Sequence, residues 1–191
     1  NFSVLMSIYA ETRSSDLSQC LKSLSQQTLP ATEIVMVWDG PVDSAVERCI
    51  ESYESNCPLH HLSFSTNRGL GPALRDGLEA CRYELIARVD SDDWSVSERF
   101  QKQVQFLHRE SDVSLVGGWL KERYNVGSSI TSYIRKNPID HVAIRQFAKR
   151  RNPINHPTVM FRKADILACN SYESCPLFED YYLWAKMLTK G

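Results

Sequence analysis

A succession of short, mostly apolar runs separated by amphipathic stretches narrows the fold more than any other feature of the chain. Phe2 to Ile8, Glu33 to Trp38, Leu59 to Ser65 and Leu85 to Val89 each read as a strand. Between them, Leu17, Cys20, Leu21 and Leu24 recur at helical spacing with Asp16 placed to cap them. Ala45, Val46, Cys49, Ile50 and Tyr53 give a second stripe; Leu74, Leu78 and Cys81 give a third, with Pro72 in its first turn. Strands apolar on both faces need helices on both faces, so the pattern predicts an α/β sandwich around a parallel sheet. With 191 residues the chain fills one such core rather than two, and residues 1–191 are taken as one domain.

Further along, Glu98 to His108 reads as a helix and Val113 to Leu120 as a strand broken at Gly117-Gly118. The regularity then weakens into a hairpin around Tyr124 to Tyr133, a basic helix from about Asp140 to Arg151 and a short strand, Thr158 to Phe161. Glu179 to Leu188 forms a last helix, with Leu183, Trp184, Met187 and Leu188 on one face. A net charge of -1 removes the broad basic field of nucleic-acid binders. No apolar run approaches the roughly 20 residues of a membrane helix. The six cysteines include no C-x-x-C pair and are read as reduced thiols of a cytoplasmic protein, with a Cys169–Cys175 disulfide as the alternative. The chain begins without methionine and stops after an amphipathic stretch, as an excised domain lacking C-terminal elements would.

In open parallel sheets ligands bind beyond the carboxyl ends of the strands. Those ends carry Ser7, Tyr9 and Glu11, then Asp39, then Asn67 and Arg68, then Asp90-Ser91-Asp92-Asp93. Neighbouring carboxylates repel unless a cation or proton sits among them, and hard oxygen ligands suit Mg²⁺ or Mn²⁺. The alternative is an acidic turn in which Asp92, Asp93 or Ser95 caps the helix that begins near Ser97. Glu179-Asp180 fits a helix N-terminus equally well, yet a carboxylate with no metal to bind is what a general base looks like. His156, in the stiff loop from Asn152 to Thr158, can line a site, and Trp184 can serve as a sugar-stacking platform. Arg145, Lys149, Arg150 and Arg151 form either a solvated helix face or a surface for an anionic acceptor or phospholipid.

Taken in order, these segments resemble a family 2 glycosyltransferase of the GT-A fold from Phe2 to the end of the chain. Ser3-Val4-Leu5-Met6-Ser7-Ile8-Tyr9 resembles the family's first strand, and Ser25-Gln26-Gln27-Thr28 the turn after its first helix. Trp38-Asp39-Gly40 resembles its Asp-Asp-Gly, with Trp38 replacing the first acid, so the base-binding role falls to Asp39. Asn67, Gly69 and Ala73-Leu74-Arg75-Asp76-Gly77 are similar to the family's glycine loop and following helix, whose arginine contacts the nucleotide; Arg68 and Arg75 both qualify. Asp90-Ser91-Asp92-Asp93 resembles the D-x-D, Asn155-His156-Pro157-Thr158 the segment before a late strand, and Glu179 to Trp184 the E-D motif with its catalytic base.

The resemblance implies a Rossmann-like, mostly parallel central sheet flanked by helices on both faces. Residues 1–120 would bind the nucleotide-sugar donor, and residues 121–191 would form the acceptor side. It implies inverting transfer from a nucleoside-diphosphate sugar, most often a UDP-sugar, to a glycan or lipid-linked acceptor in bacterial surface polysaccharide biosynthesis. Asp180 would be the base. Ser7, Tyr9, Glu11, Asp39, Arg68 or Arg75, Asp90 and Ser91 would surround the donor, and Asp92 with Asp90 would hold Mn²⁺ or Mg²⁺. Glu179, Trp184 and His156 would face the acceptor, with the protein at the inner face of the cell membrane. A sugar nucleotidyltransferase would require a glycine-rich phosphate loop after strand one, where the sequence reads Ile8-Tyr9-Ala10-Glu11-Thr12-Arg13. A nucleotide- or carbohydrate-binding domain without turnover is the other reading.

Overall fold

Strand β1 (Ser3–Ile8) is almost wholly buried because both of its faces are covered and both of its edges are paired. On one side it pairs in parallel with β2 (Glu33–Trp38), which pairs in parallel with β3 (Leu59–Ser63); on the other it pairs in parallel with β4 (Leu85–Arg88). The computed structural model describes residues 1–54, 58–126 and 129–190; Cys57 falls outside them. The full sheet runs β3-β2-β1-β4-β8-β5, where β5 is Leu115–Val116 and β8 is Met160–Arg162. The chain moves outward from β1 to β3 and then returns to β4 on the other side of β1. The topological switch point therefore lies between β1 and β4.

Helices α1 (Ser14–Ser25), α2 (Ser44–Glu54) and α4 (Arg99–Arg109) cover one face of the sheet. There Val4, Met6 and Ile8 pack with Leu17, Leu21, Val46, Ile50, Phe100 and Leu107. On the other face α3 (Leu70–Ala80), α6 (Lys163–Ala168) and α7 (Glu179–Lys190) bury Leu74, Leu78, Ile166, Leu183 and Trp184 against Leu5, Val35 and Val37. At ~1.5–3 kcal/mol for each large side chain taken from water, this two-sided burial is the main stabilising term.

Several sequence expectations change. Asp16 does not cap α1: it sits in the helix's first turn, paired with Arg13 at 2.6 Å. Thr158 belongs to a 3-10 turn, His156–Thr158, and the strand after it, β8, runs antiparallel to β4. The expected strand from Val113 to Leu120 shrinks to β5 and stops at Gly117, where an added Cβ would lie 3.1 Å from Ile154 Cγ2. Leu120 instead opens a separate two-stranded sheet, β6 (Leu120–Val126) with β7 (Ser129–Arg135). The helix expected from about Asp140 to Arg151 is α5 (His141–Ala148), capped by Asp140, whose carboxylate accepts the Ala143 N–H at 2.9 Å; of the four basic residues only Arg145 lies on it, and Lys149, Arg150 and Arg151 follow its end. Cys169 and Cys175 are free thiols, as are Cys20, Cys49 and Cys81. No described helix is long and apolar enough to cross a membrane.

Candidate active site

The carboxyl ends of β1, β2 and β4 and the loop before α3 surround a cleft of about 550 Å³ at the switch point. Ser7, Tyr9, Glu11, Asp39, Asp90, Ser91 and Asp92 all line it. Tyr9 is 43% exposed, with its hydroxyl 3.5 Å from Glu11 Oε2. Burial and the negative charges of Glu11, Asp92 and Asp90 push its phenol up. Asp39 is buried, and its carboxylate accepts the backbone N–H groups of Arg68 at 2.8 Å and Gly69 at 2.9 Å. That clamp brings the 67–69 loop against β2, where Gly40 has φ +91 and an added Cβ would lie 2.8 Å from Asn67 N. Arg68 and Arg75 do not line the cleft: both guanidinium groups are held by Asp76, at 2.8 and 3.0 Å. Trp38 turns its indole N–H to His61 Nδ1 at 3.0 Å, and it also stays out of the cleft wall.

The acid cluster after β4 rests on cations of the chain itself. Arg88 is buried, with a side chain only 2% exposed, and forms an ion pair with Asp90. Arg99 donates to Arg88 O at 2.7 Å and to Ser95 Oγ at 3.0 Å. Burial and the adjacent Asp90 and Asp92 push the Asp93 carboxyl up to about 6, against the pull of both arginines. None of Asp92, Asp93 and Ser95 caps α4, whose cap position is Glu98. The loop is held from elsewhere: Gln27 donates to Val96 O at 2.8 Å and accepts the Phe100 N–H at 3.2 Å. Asp92 is left exposed, with no hydrogen bond or ion pair to any described residue.

Among the described residues no three His, Cys, Asp or Glu side chains form a metal cage. Mg²⁺ or Mn²⁺ needs only one or two carboxylates, with phosphate oxygens and water completing its shell, and the acids lining the cleft can supply them. Asp92, unengaged and facing the cleft, is the carboxylate suited to it.

Asp180 opens α7 and is partly buried. Its Oδ2 accepts from Asn152 Nδ2 at 2.6 Å, and its Oδ1 accepts the Tyr181 N–H at 2.7 Å. Burial pushes this carboxyl up; the two hydrogen bonds and the charge of Arg88 pull against it. Arg88 thus acts on both acid groups, pairing with Asp90 and holding Asp180 in its field. The start of α7 meets the start of α3 at Gly71, where an added Cβ would lie 2.2 Å from Glu173 O and 3.1 Å from Glu179 Cγ. Leu70, next to that contact, lines the cleft. Asn152 and Arg88 were not singled out by sequence. A charged side chain inside the apolar run Leu85 to Val89, two residues before the acids, was the signal for Arg88, because a buried cation requires a partner.

His156 and Trp184 sit differently from what the sequence led us to expect. Trp184 is 1% exposed inside the core, so its ring offers no open face to a sugar. His156 is buried between Tyr172, at 3.0 Å from its hydroxyl, and the Trp184 ring, and burial holds it well below the ordinary histidine range. Both are packing residues here.

Residues 3–170 match the family described as Glycosyl transferase family 2. The chain is 38% identical over 190 residues to amylovoran biosynthesis glycosyltransferase AmsE of Erwinia amylovora, covering 100% of this chain and 70% of that protein. It is 35% identical over 191 residues to the UDP-Gal:alpha-D-GlcNAc-diphosphoundecaprenol beta-1,3-galactosyltransferase of Escherichia coli, covering 100% of this chain and 68% of that protein. Among solved structures, S. aureus TarS 1-349 superposes with a TM-score of 0.72 at 22% identity, over 98% of this chain and 55% of that one. The mannosyltransferase PcManGT of Pyrobaculum calidifontis, in complex with GDP-Man and Mn²⁺, gives a TM-score of 0.72 at 18% identity, over 100% and 52%. The chain spans about half the length of these two solved proteins, and its fold is the GT-A arrangement.

Proposed function

The chain belongs to glycosyl transferase family 2, and from that premise we propose that it moves a sugar, with inversion, from a UDP-sugar to a hydroxyl of a lipid-linked glycan in bacterial surface polysaccharide assembly. The observation that carries this reading is a cleft at the switch point walled by the acids that end β1, β2 and β4. Apart from it stands a partly buried carboxylate, Asp180, held by Asn152 and the Tyr181 N–H. The name of the galactosyltransferase relative, with its UDP-Gal donor and diphosphoundecaprenol acceptor, supports the choice of donor and acceptor class.

In this reading Tyr9 stacks on the base. Asp39 accepts from a base N–H with the lone pairs that Arg68 and Gly69 leave free. Asp90, oriented by Arg88, meets the ribose with Ser7, Glu11 and Ser91 around it. A contact from Arg68 or Arg75 to the nucleotide requires release from Asp76. A divalent cation held by Asp92, with Asp90 beside it, would offset the charge that builds on the departing diphosphate. Asp180 removes the proton from the acceptor hydroxyl as its oxygen bonds to C1 from the face opposite the breaking C1–O bond, and Glu179 lies on the acceptor side. The test is calorimetric binding of UDP, GDP, dTDP and CDP with and without Mn²⁺. Metal-dependent binding of UDP, lost in Asp92→Asn, is expected; binding of none of the four would overturn the reading.

A further inference from the structure

Among the described residues the hairpin β6–β7 pairs with no third strand, and its register sorts its side chains by face. Lys121 opposes Ile134 and Arg123 opposes Ser132, so the pleat puts Lys121, Arg123, Ile130, Ser132 and Ile134 on one face. The neighbouring acid, Glu122, lies on the opposite face, engaged by Arg135 and the Tyr124 hydroxyl. Lys121 and Arg123 are exposed, with no hydrogen bond or ion pair to any described residue. Ile130 is 71% exposed and Ile134 48%.

The same composition extends beyond the hairpin. Residues 119–151 hold eight Lys and Arg against two acids, a formal +6 within a chain of net charge -1. Seven of the fourteen large apolar side chains exposed among the described residues fall between Trp119 and Val142. Trp119 sits at the foot of the hairpin, its ring under Lys136 Nζ at 5.0 Å and its indole N–H donating to Asn137 O at 3.1 Å. A two-stranded ribbon alone is marginal in water. Cations interleaved with exposed aliphatic and indole groups suit the boundary between lipid headgroups and acyl chains. A nucleic acid would use the cations and leave the isoleucines wet.

We propose that this face of the hairpin, with the segment leading into α5, docks on an anionic lipid bilayer. Lys121 and Arg123 meet headgroup phosphates while Ile130 and Ile134 enter the acyl boundary. The sequence alone drew attention to the basic helix; the proposal centres on the hairpin instead, and it does not depend on the transferase reading. The experiment is co-sedimentation with phosphatidylglycerol–phosphatidylethanolamine vesicles and with pure phosphatidylcholine vesicles, at low and high salt.

Expected are binding to the anionic vesicles alone, weakening with salt, and a fall in partitioning of at least about tenfold in Lys121→Glu/Arg123→Glu. Ile130→Ser/Ile134→Ser should lose a similar amount, and both variants should keep the parent's thermal transition and nucleotide binding. Parent-level vesicle binding by both variants, or none by the parent, overturns the proposal. So does self-association of the parent that the isoleucine variant loses, which would give the face to a second copy. Failed nucleotide binding with intact vesicle binding would sink the transferase reading alone.

Discussion

Replacing Asn152 tests the role of Asp180 without touching the carboxylate. Asn152→Ala deletes the 2.6 Å hydrogen bond to Asp180 Oδ2, leaving the Tyr181 N–H at 2.7 Å and the field of Arg88. A hydrogen bond to a charged group contributes ~1.5–3 kcal/mol. Because two stabilising groups remain, the lower end applies, and ~1.4 kcal/mol is a factor of about ten in the ionisation constant. The sign follows from the role: only ionised Asp180 can take a proton, and burial has already pushed it up. Transfer is therefore lost as pH falls through that raised value, and without Asn152 it is lost at higher pH. The measurement is kcat/KM for sugar transfer across pH. On the acid limb the variant should be about tenfold slower than the parent, and on the alkaline plateau the two should agree. A folded variant whose acid limb coincides with the parent's, or whose whole profile drops uniformly, refutes the reasoning.

Three other perturbations have defined outcomes. Asp180→Asn should cut transfer by at least ~100-fold with nucleotide affinity unchanged. It should also raise Tm in neutral buffer: a carboxyl whose folded-state pKa is raised costs stability once pH climbs through that value, and the amide carries no charge to bury; a lower Tm counts against the burial argument. Asp39→Ala frees the Arg68 and Gly69 N–H groups and should cost ~2–4 kcal/mol in urea unfolding, with nucleotide binding lost. Gly71→Ala should destabilise by ~1–3 kcal/mol, since its Cβ meets the Glu173 backbone, and should slow transfer by moving the start of α7.

The sheet was legible because burial on both faces writes itself as unbroken apolar runs, and the parallel sense of β1 to β4 followed from the helices between them. β8 was not, because a three-residue strand carries no period and its antiparallel sense depends on partners distant in sequence. The cleft residues could be read from the strand ends, and eight of them meet, Asn67 included. Arg68 and Arg75 could not be assigned from spacing, since the choice rests on Asp76, which holds both. Trp184 failed for a general reason: helical spacing places it one turn beyond Asp180, but whether that face looks toward solvent or core is a tertiary fact. The acid cluster asked for a cation, and Arg88 beneath it answers part of that demand.

The contact of Gly71 with Glu173 and Glu179 has an evolutionary corollary. It anchors the start of α7, and so Asp180, to α3, and the Tyr181 hydroxyl ties the same turn to α5 by donating to Ala148 O, while the hairpin lies outside that joint. Insertions, deletions or exchange within the hairpin, residues 120–135, can thus reshape that surface while Asp180 keeps its place. Lineages built on this plan can vary the hairpin by recombination without disturbing the rest of the fold, and chimeras swapped there are the natural way to learn what it contacts.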